Sequence, residues 1–150
     1  MFRNEIRTEI EIDATATEVW DVLTDFPAYH GWNPGTATIE GEPAVGARLA
    51  VSMKLASGRG IVMKPRVVAS DPGRELRWLG RLLVPGLFDG EHRFEIHERE
   101  PGRVTFVQAE RFRGLSVPIL RRMIEVDTVA TFRAVNEALA ARVASRRVTA

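Results

Sequence analysis

The sequence predicts an α+β fold, in which a curved antiparallel sheet wraps around one long helix at the end of the chain. Apolar and charged residues alternate over Ile6–Ile12, and similar alternation with turn signals runs from Thr36 to Phe112. Helix-start signals stand between these two regions, and one amphipathic helix closes the chain. An apolar sheet face must be covered, and the final helix is the only element large enough to cover it.

Two short helices are predicted directly after the first strand. Thr15 and Glu18 fit the capping box, a threonine followed three residues later by glutamate just before an apolar run. A second helical turn starts at Asp25-Phe26-Pro27, because proline is well tolerated at the beginning of a helix. This turn ends at Trp32-Asn33-Pro34-Gly35.

About six further strands follow, which gives a sheet of about seven strands. Apolar and polar residues alternate over Leu49–Leu55 and over Leu76–Val84, with turns rich in glycine between the segments. One such turn is Gly58-Arg59-Gly60. Within Ile61–Ser70, Pro65 indicates an edge position or a bulge, because proline cannot donate a hydrogen bond to a central strand.

The last two strands, Glu91–Glu98 and Val104–Phe112, form a hairpin that brings a histidine opposite a carboxylate. Residues two apart share a face of a strand, and Glu100-Pro101-Gly102 is a turn signal. Centring the hairpin on Pro101 produces three cross-strand pairs: Ile96 with Phe106, Phe94 with Gln108, and His92 with Glu110. A titratable pair and an amide on an otherwise apolar inner face indicate a ligand cavity, whose contents the pattern does not identify.

The apolar side chains on the inner faces of the strands are predicted to line this cavity. They include aromatic rings that can stack on a flat ligand and a methionine that can adapt to it. With the polar residues His92, Gln108 and Glu110, the predicted ligand-binding set contains Val51, Met53, Trp78, Leu82, Phe94, Ile96, Phe106 and Phe112. Buried Gln108 needs a bonded neighbour or a ligand, because a buried amide without a partner costs about 1–3 kcal/mol.

The chain closes with a long helix. Ser116 offers an N-cap and Pro118 stands in the first turn. Apolar residues then recur at helical spacing from Met123 to Val143.

Composition narrows the function. The 150 residues are most simply one domain, residues 1–150, and a net charge of +1 without segregated Lys and Arg argues against nucleic acid. The sequence has no cysteine, and its histidines do not have the spacing of metal ligands, so no metal site is expected. No other cofactor is expected either. Neither a signal peptide nor a membrane span is recognisable, so a cytoplasmic protein is expected, as a monomer or homodimer.

Five motifs in order along the chain resemble the START-like, helix-grip superfamily (SRPBCC), which includes Bet v 1-like proteins and the bacterial polyketide cyclase/dehydrase group. The motifs are TATEVWDVLTDF, YHGWNP, GEHRF, ERFRG and FRAVNEAL. The resemblance implies the helix-grip fold over essentially the whole chain, as a single START-like domain. Members bind lipids, sterols or polyketides, activate chaperones or cyclise polyketides, and the fold alone does not select among these functions.

Three function hypotheses follow. The first, preferred over an enzyme, is the binding of a hydrophobic or aromatic small molecule such as a lipid or polyketide. The second is a cyclase/aromatase or dehydratase in which His92 and Glu110 are the catalytic acid–base pair. In the structural alternative, the His92–Glu110 pair only fixes the register of the two strands. The third hypothesis is a protein–protein adaptor of the chaperone-activator type.

Overall fold

The α+β architecture is confirmed in a computed structural model that describes residues 5–54, 60–82 and 84–149. The first five elements are β1 (Glu5–Ile12), α1 (Ala16–Thr24), a 3₁₀ helix (Phe26–Gly31), β2 (Thr36–Glu40) and β3 (Ala50–Lys54). The remaining strands are β4 (Gly60–Met63), β5 (Arg66–Asp71), β6 (Glu75–Leu82), β7 (Phe88–Glu100) and β8 (Arg103–Arg113). The chain then forms α2 (Val117–Met123), a π-helical segment (Ile124–Thr128) and α3 (Val129–Thr149).

The described strands form two antiparallel sheets, where the sequence predicted one. The larger sheet has the order β1-β8-β7-β6-β5 and the smaller one the order β2-β3-β4. The predicted strand Ile61–Ser70 is divided, because Pro65 stands between β4 in the small sheet and β5 in the large one. Proline ends a ladder, so this position is where the chain changes sheets. The predicted strand end at Leu55 and the turn residues Gly58-Arg59 lie outside the described residues.

Both predicted short helices are present, and the first begins as expected. Thr15 Oγ1 accepts a hydrogen bond from the Glu18 amide at 3.1 Å, while a Glu18 carboxylate oxygen accepts one from the Thr15 amide at 3.0 Å. Arg147, near the end of α3, also donates two hydrogen bonds to Glu18. These bonds lower the pKa of Glu18 to about 2. The same carboxylate therefore caps α1 and connects it to the last helix.

The closing helix runs through α2, the π segment and α3, and its inner side packs on the large sheet. Phe106, at the centre of the sheet, is fully buried in the main core. A smaller core forms at the other end of the sheet from Ile6, Phe112, Val117, Ile124 and Phe132. Among the described helices, none has the length and apolar character needed to cross a membrane.

The loop between β6 and β7 is tied to the segment that precedes α2. The amide of Leu115 donates to the Gly86 carbonyl at 3.1 Å, and both the amide and the hydroxyl of Ser116 donate to the Leu87 carbonyl, at 3.1 and 2.7 Å. We call this contact the loop junction. The two backbone segments approach closely at Gly114, where an added Cβ would lie 2.3 Å from the Leu87 carbonyl oxygen.

Candidate functional site

The hairpin register agrees with the prediction. His92 is paired with Glu110, Phe94 with Gln108, and Ile96 with Phe106 across β7 and β8. Neighbouring strands extend these pairs into cross-strand rows on the inner face of the large sheet. Three rows matter for the site: Leu76–Phe94–Gln108–Thr8, Trp78–His92–Glu110–Ile6, and Gly80–Gly90–Phe112.

The imidazole of His92 lies among aromatic rings. It stacks on Phe94 at a centroid distance of 4.4 Å and an interplanar angle of 24°, and on Phe132 of α3 at 4.9 Å and 25°. Trp78 is tilted against it at 5.4 Å. The histidine therefore connects the sheet to the closing helix. Because its surroundings disfavour the charged imidazolium, the pKa of His92 is lowered to about 3.

His92 binds Gln108 rather than the carboxylate opposite it. The Gln108 side-chain amide donates a hydrogen bond to Nε2 of His92, with 3.0 Å between the two nitrogens. A neutral imidazole carries one proton, so this bond leaves the proton on Nδ1. The bond runs diagonally between neighbouring rows, which backbone register alone does not predict.

Glu110 is a desolvated carboxyl group. No hydrogen bond or ion pair to it is found in the part of the chain that the structure describes. Burial raises the pKa of Glu110 to about 8, because the charged form is disfavoured where the carboxyl group loses most of its hydration. At neutral pH Glu110 and His92 are both predominantly uncharged.

A pair of glycines provides room beside Glu110. Gly80 and Gly90 are partners on β6 and β7, and they stand on the inner face, where other positions carry large side chains. A Cβ on Gly90 would lie 2.6 Å from a Glu110 carboxyl oxygen, and one on Gly80 would lie 3.0 Å from the terminal methyl of Met63. A carboxyl group and a flexible methionine thus cover the two glycines. Met63 can move aside at low cost.

Two residues of α3 complete the arrangement, and the sequence analysis did not include them in the site. Phe132 stacks on His92, and Asn136, four residues later, is 2% exposed. Asn136 donates a hydrogen bond to the hydroxyl of Thr8 at 2.9 Å, and that hydroxyl donates to the Gln108 backbone carbonyl at 3.1 Å. A polar residue on the apolar stripe of a helix was the available signal, since buried amides need partners.

The predicted lining residues are distributed over two cores. Val51, Trp78, Phe94, Ile96 and Phe106 are buried in the main core, and half-buried Met53 packs against it. Phe112 belongs to the smaller core, and the side chain of Leu82 lies outside the described part.

Tyr29 and Arg81 both form their contacts outside this polar cluster. The buried hydroxyl of Tyr29 donates to the Leu23 carbonyl, and Arg81 is exposed on the outer face, 3.9 Å from Asp89.

The surface pockets in the described part of the chain include one of about 600 Å³ and one of about 400 Å³. Polar residues of the β5–β6 turn and of β7 line the first, which reaches Ile96, and Asn33–Gly35 and nearby residues line the second. Neither contains His92, Gln108 or Glu110. Among the described residues, no three His, Asp or Glu side chains come close enough together to hold a metal ion.

Comparison with known proteins places this geometry in a family context. Residues 3–144 match the family profile described as polyketide cyclase / dehydrase and lipid transport. A comparison with curated protein sequences gives no match. Among solved structures, the ZhuI aromatase/cyclase from Streptomyces sp. R1128 is similar, with a TM-score of 0.78 and 20% identity over 96% of this chain and 94% of that one.

Two further structures support the same fold. A START superfamily protein from Mycobacterium smegmatis has a TM-score of 0.73 and 19% identity over 94% of this chain and 97% of its own. The di-domain aromatase/cyclase StfQ of the steffimycin biosynthetic pathway has a TM-score of 0.74 and 14% identity over 98% of this chain and 52% of that protein. At these identities the likeness concerns the fold.

Proposed function

Because this chain belongs to the polyketide cyclase/dehydrase and lipid transport family, we propose that it binds a hydrophobic or aromatic small molecule between the large sheet and α3. The observation that carries the proposal is the uncharged polar group of His92, Gln108 and Glu110, placed among aromatic rings on the inner face of the sheet. Polar groups of this kind orient a ligand, while the apolar walls provide most of the binding energy.

Access depends on movable side chains above the glycine pair. The ligand enters over Gly80 and Gly90 when Met63 withdraws and the Glu110 carboxyl turns toward it. The protonated Glu110 donates to a ligand oxygen, and neutral His92 offers its Nδ1 proton. The aromatic rings of Trp78, Phe94 and Phe132 around His92 form apolar surroundings that suit an aromatic ligand.

The first test is a thermal-shift screen with fatty acids, sterols, flavonoids and aromatic polyketides. A ligand present at 100 times its Kd should raise the unfolding free energy by about 2.7 kcal/mol. Gly90→Ala should weaken the best ligand about tenfold by displacing the Glu110 carboxyl, since its Cβ would lie 2.6 Å from that group. Gly31→Ala is the matched control, because no atom lies within 4 Å of the added methyl.

Either of two results would contradict this proposal. One is a screen in which no compound shifts the melting temperature. The other is a ligand whose affinity is unchanged in Gly90→Ala and in Glu110→Gln, since binding would then take place away from this carboxyl.

A cyclase or dehydratase activity is the second candidate, and the raised pKa of Glu110 favours it. A carboxylate with a pKa of about 8 is a stronger base than an ordinary one and is partly ionised near neutral pH. It would take a proton from a methylene next to a carbonyl, the resulting enolate carbon would attack a second carbonyl, and the new alkoxide would take up a proton. Loss of water would complete a dehydration.

Deuterium exchange at the C1 methylene of 2-tetralone tests this activity. The wild-type protein should accelerate exchange, with a rate that rises as the pH approaches 8, because only the ionised Glu110 accepts a proton. Glu110→Gln should abolish the acceleration. If 2-tetralone binds without faster exchange in the wild type, Glu110 is not a base and the binding function alone stands.

A further inference from the structure

Two buried side-chain amide oxygens have no hydrogen-bond partner in the described part of the chain. They are Oε1 of Gln108 and Oδ1 of Asn136, in residues that are 3% and 2% exposed. The nitrogen atoms of both amides have partners: the Gln108 amide nitrogen donates a hydrogen bond to His92, and the Asn136 amide nitrogen donates one to Thr8. The Thr8 hydroxyl donates its hydrogen bond to the Gln108 backbone carbonyl.

The two amides belong to one connected arrangement. Thr8 is paired with Gln108 across β1 and β8, and its hydroxyl joins that pair to Asn136 on α3. His92 joins Gln108 to Phe132, which lies one helical turn before Asn136. One open acceptor thus belongs to the sheet and the other to the helix that packs on it, and Thr8 connects their two residues. A buried acceptor without a partner costs about 1–3 kcal/mol, so a donor is expected there.

The charge of this region restricts what the donor can be. On the described inner-face rows, the ionisable side chains are His92 and Glu110, and no lysine or arginine stands among them. The arginines of these strands, among them Arg77, Arg93 and Arg111, form ion pairs on the outer face. An anionic ligand would meet open acceptors, a carboxyl group and no cation. An uncharged ligand with a hydroxyl group can donate a hydrogen bond to these acceptors without bringing a charge into the site.

We propose that Gln108 Oε1 and Asn136 Oδ1 form a hydrogen-bond-accepting subsite for the hydroxyl group of an uncharged aromatic ligand. The inference rests on the proposed function and names the chemical class of ligand within the same site. Asn136 becomes a specificity-determining residue, and phenols or enols are selected over their ethers and over carboxylates. A site built to bind a hydroxyl disfavours an analogue that lacks it, because its own buried acceptors then stay unpaired.

Three probes of equal ring size test the subsite in calorimetric titrations of the full chain at pH 6. We expect 2-naphthol to bind about tenfold more tightly than 2-methoxynaphthalene, and 2-naphthoate to bind most weakly. Asn136→Leu should reduce the preference for naphthol over its methyl ether to about twofold or less. The matched control is Ala134→Leu, which adds a leucine at an exposed position of the same helix and keeps both acceptors, and it should retain the preference.

The outcomes separate this inference from the function on which it rests. Equal binding of naphthol and its methyl ether would overturn the subsite, as expected if the acceptors only hold a buried water, and would leave the proposed binding of a hydrophobic ligand in place. Tightest binding of naphthoate would also overturn it. So would a preference that survives in Asn136→Leu. Failure of all three probes to bind would reject the proposed ligand binding and the subsite together. If Asn136→Leu does not fold, the affinity ranking of the three probes in the wild type still tests the subsite.

Discussion

The free energy of unfolding should be highest between about pH 4.5 and 6.5 and should decrease on both sides of this range. Glu110 has a pKa of about 8 in the folded protein against 4.5 as the ordinary value, so its stabilising effect is complete below pH 4.5 and is lost as the pH rises toward 8. His92 has a folded pKa of about 3 against 6.5, so its effect is complete above pH 6.5 and is lost as the pH falls toward 3. Between the two ordinary values the opposite slopes cancel.

Single substitutions should expose each slope separately. Glu110→Gln should be more stable than the wild type by about 2–4 kcal/mol at pH 8.5, because a neutral amide avoids the desolvation of a carboxylate. The value stays below the limit for full desolvation, since part of the residue's surface is exposed. In the same variant, stability should decrease from pH 6.5 to 4.5, because the titration of His92 is no longer offset. Urea unfolding at pH 4.5, 6.5 and 8.5 measures these differences.

His92→Phe is the complementary variant. It keeps a ring against Phe94 and Phe132, and its stability should decrease steadily from pH 4.5 to 8 as Glu110 titrates alone. Below pH 4.5 the loss of the Glu18 carboxylate bound by Arg147 also contributes, so the window from 4.5 to 6.5 is the informative one for His92. The exposed Glu98→Gln serves as control. If Glu110→Gln and the wild type had parallel profiles from pH 6.5 to 8.5, the desolvated state of Glu110 would be disproved.

Gly114→Ala should destabilise the fold by about 3 kcal/mol or more. Gly114 has a φ of +133°, which favours glycine, and its added Cβ would lie 2.3 Å from the Leu87 carbonyl oxygen and 2.9 Å from the Phe88 amide nitrogen. Both are backbone atoms, so no side-chain rotation relieves the overlap. The loop junction, which accepts two hydrogen bonds from Ser116, must separate.

Gly86→Ala is the matched control for this effect. Gly86 lies in the same loop junction and also has a positive φ, of +87°, but nothing stands within 4 Å of an added Cβ. The unfolding free energy of Gly86→Ala should decrease only by the conformational cost of a left-handed alanine, about 1–2 kcal/mol. Urea unfolding at a single pH compares the two variants with the wild type. An equal loss of stability in both would show that the backbone contact at Gly114 does not hold the junction together.

Residue alternation was sufficient to predict the hairpin and its polar face. The period of two and the Pro101-Gly102 turn placed His92 opposite Glu110 and Phe94 opposite Gln108, and the structure has these pairs. The capping box of α1 was equally readable, because its two hydrogen bonds join residues three apart. Signals of this kind are local, so they can be read without knowledge of the rest of the fold.

The partition into two sheets was less readable. Pro65 was recognised as an interruption, but whether the chain then continues in the same sheet depends on which distant strands it meets. Strand β5 pairs with β6 and β4 with β3, and no local pattern separates these alternatives.

By itself the sequence determined the fold class, the inner face of the sheet and the cross-strand pairs on it. Only the tertiary structure decided that His92 binds Gln108, that Phe132 and Asn136 of α3 reach the same place, and that Glu110 has no described partner. The physical reason is that alternation fixes the face on which a side chain lies, whereas its partners and its access to water depend on elements that are far away in the chain. The protonation of His92 and Glu110 follows from that packing, and with it the chemistry of the site.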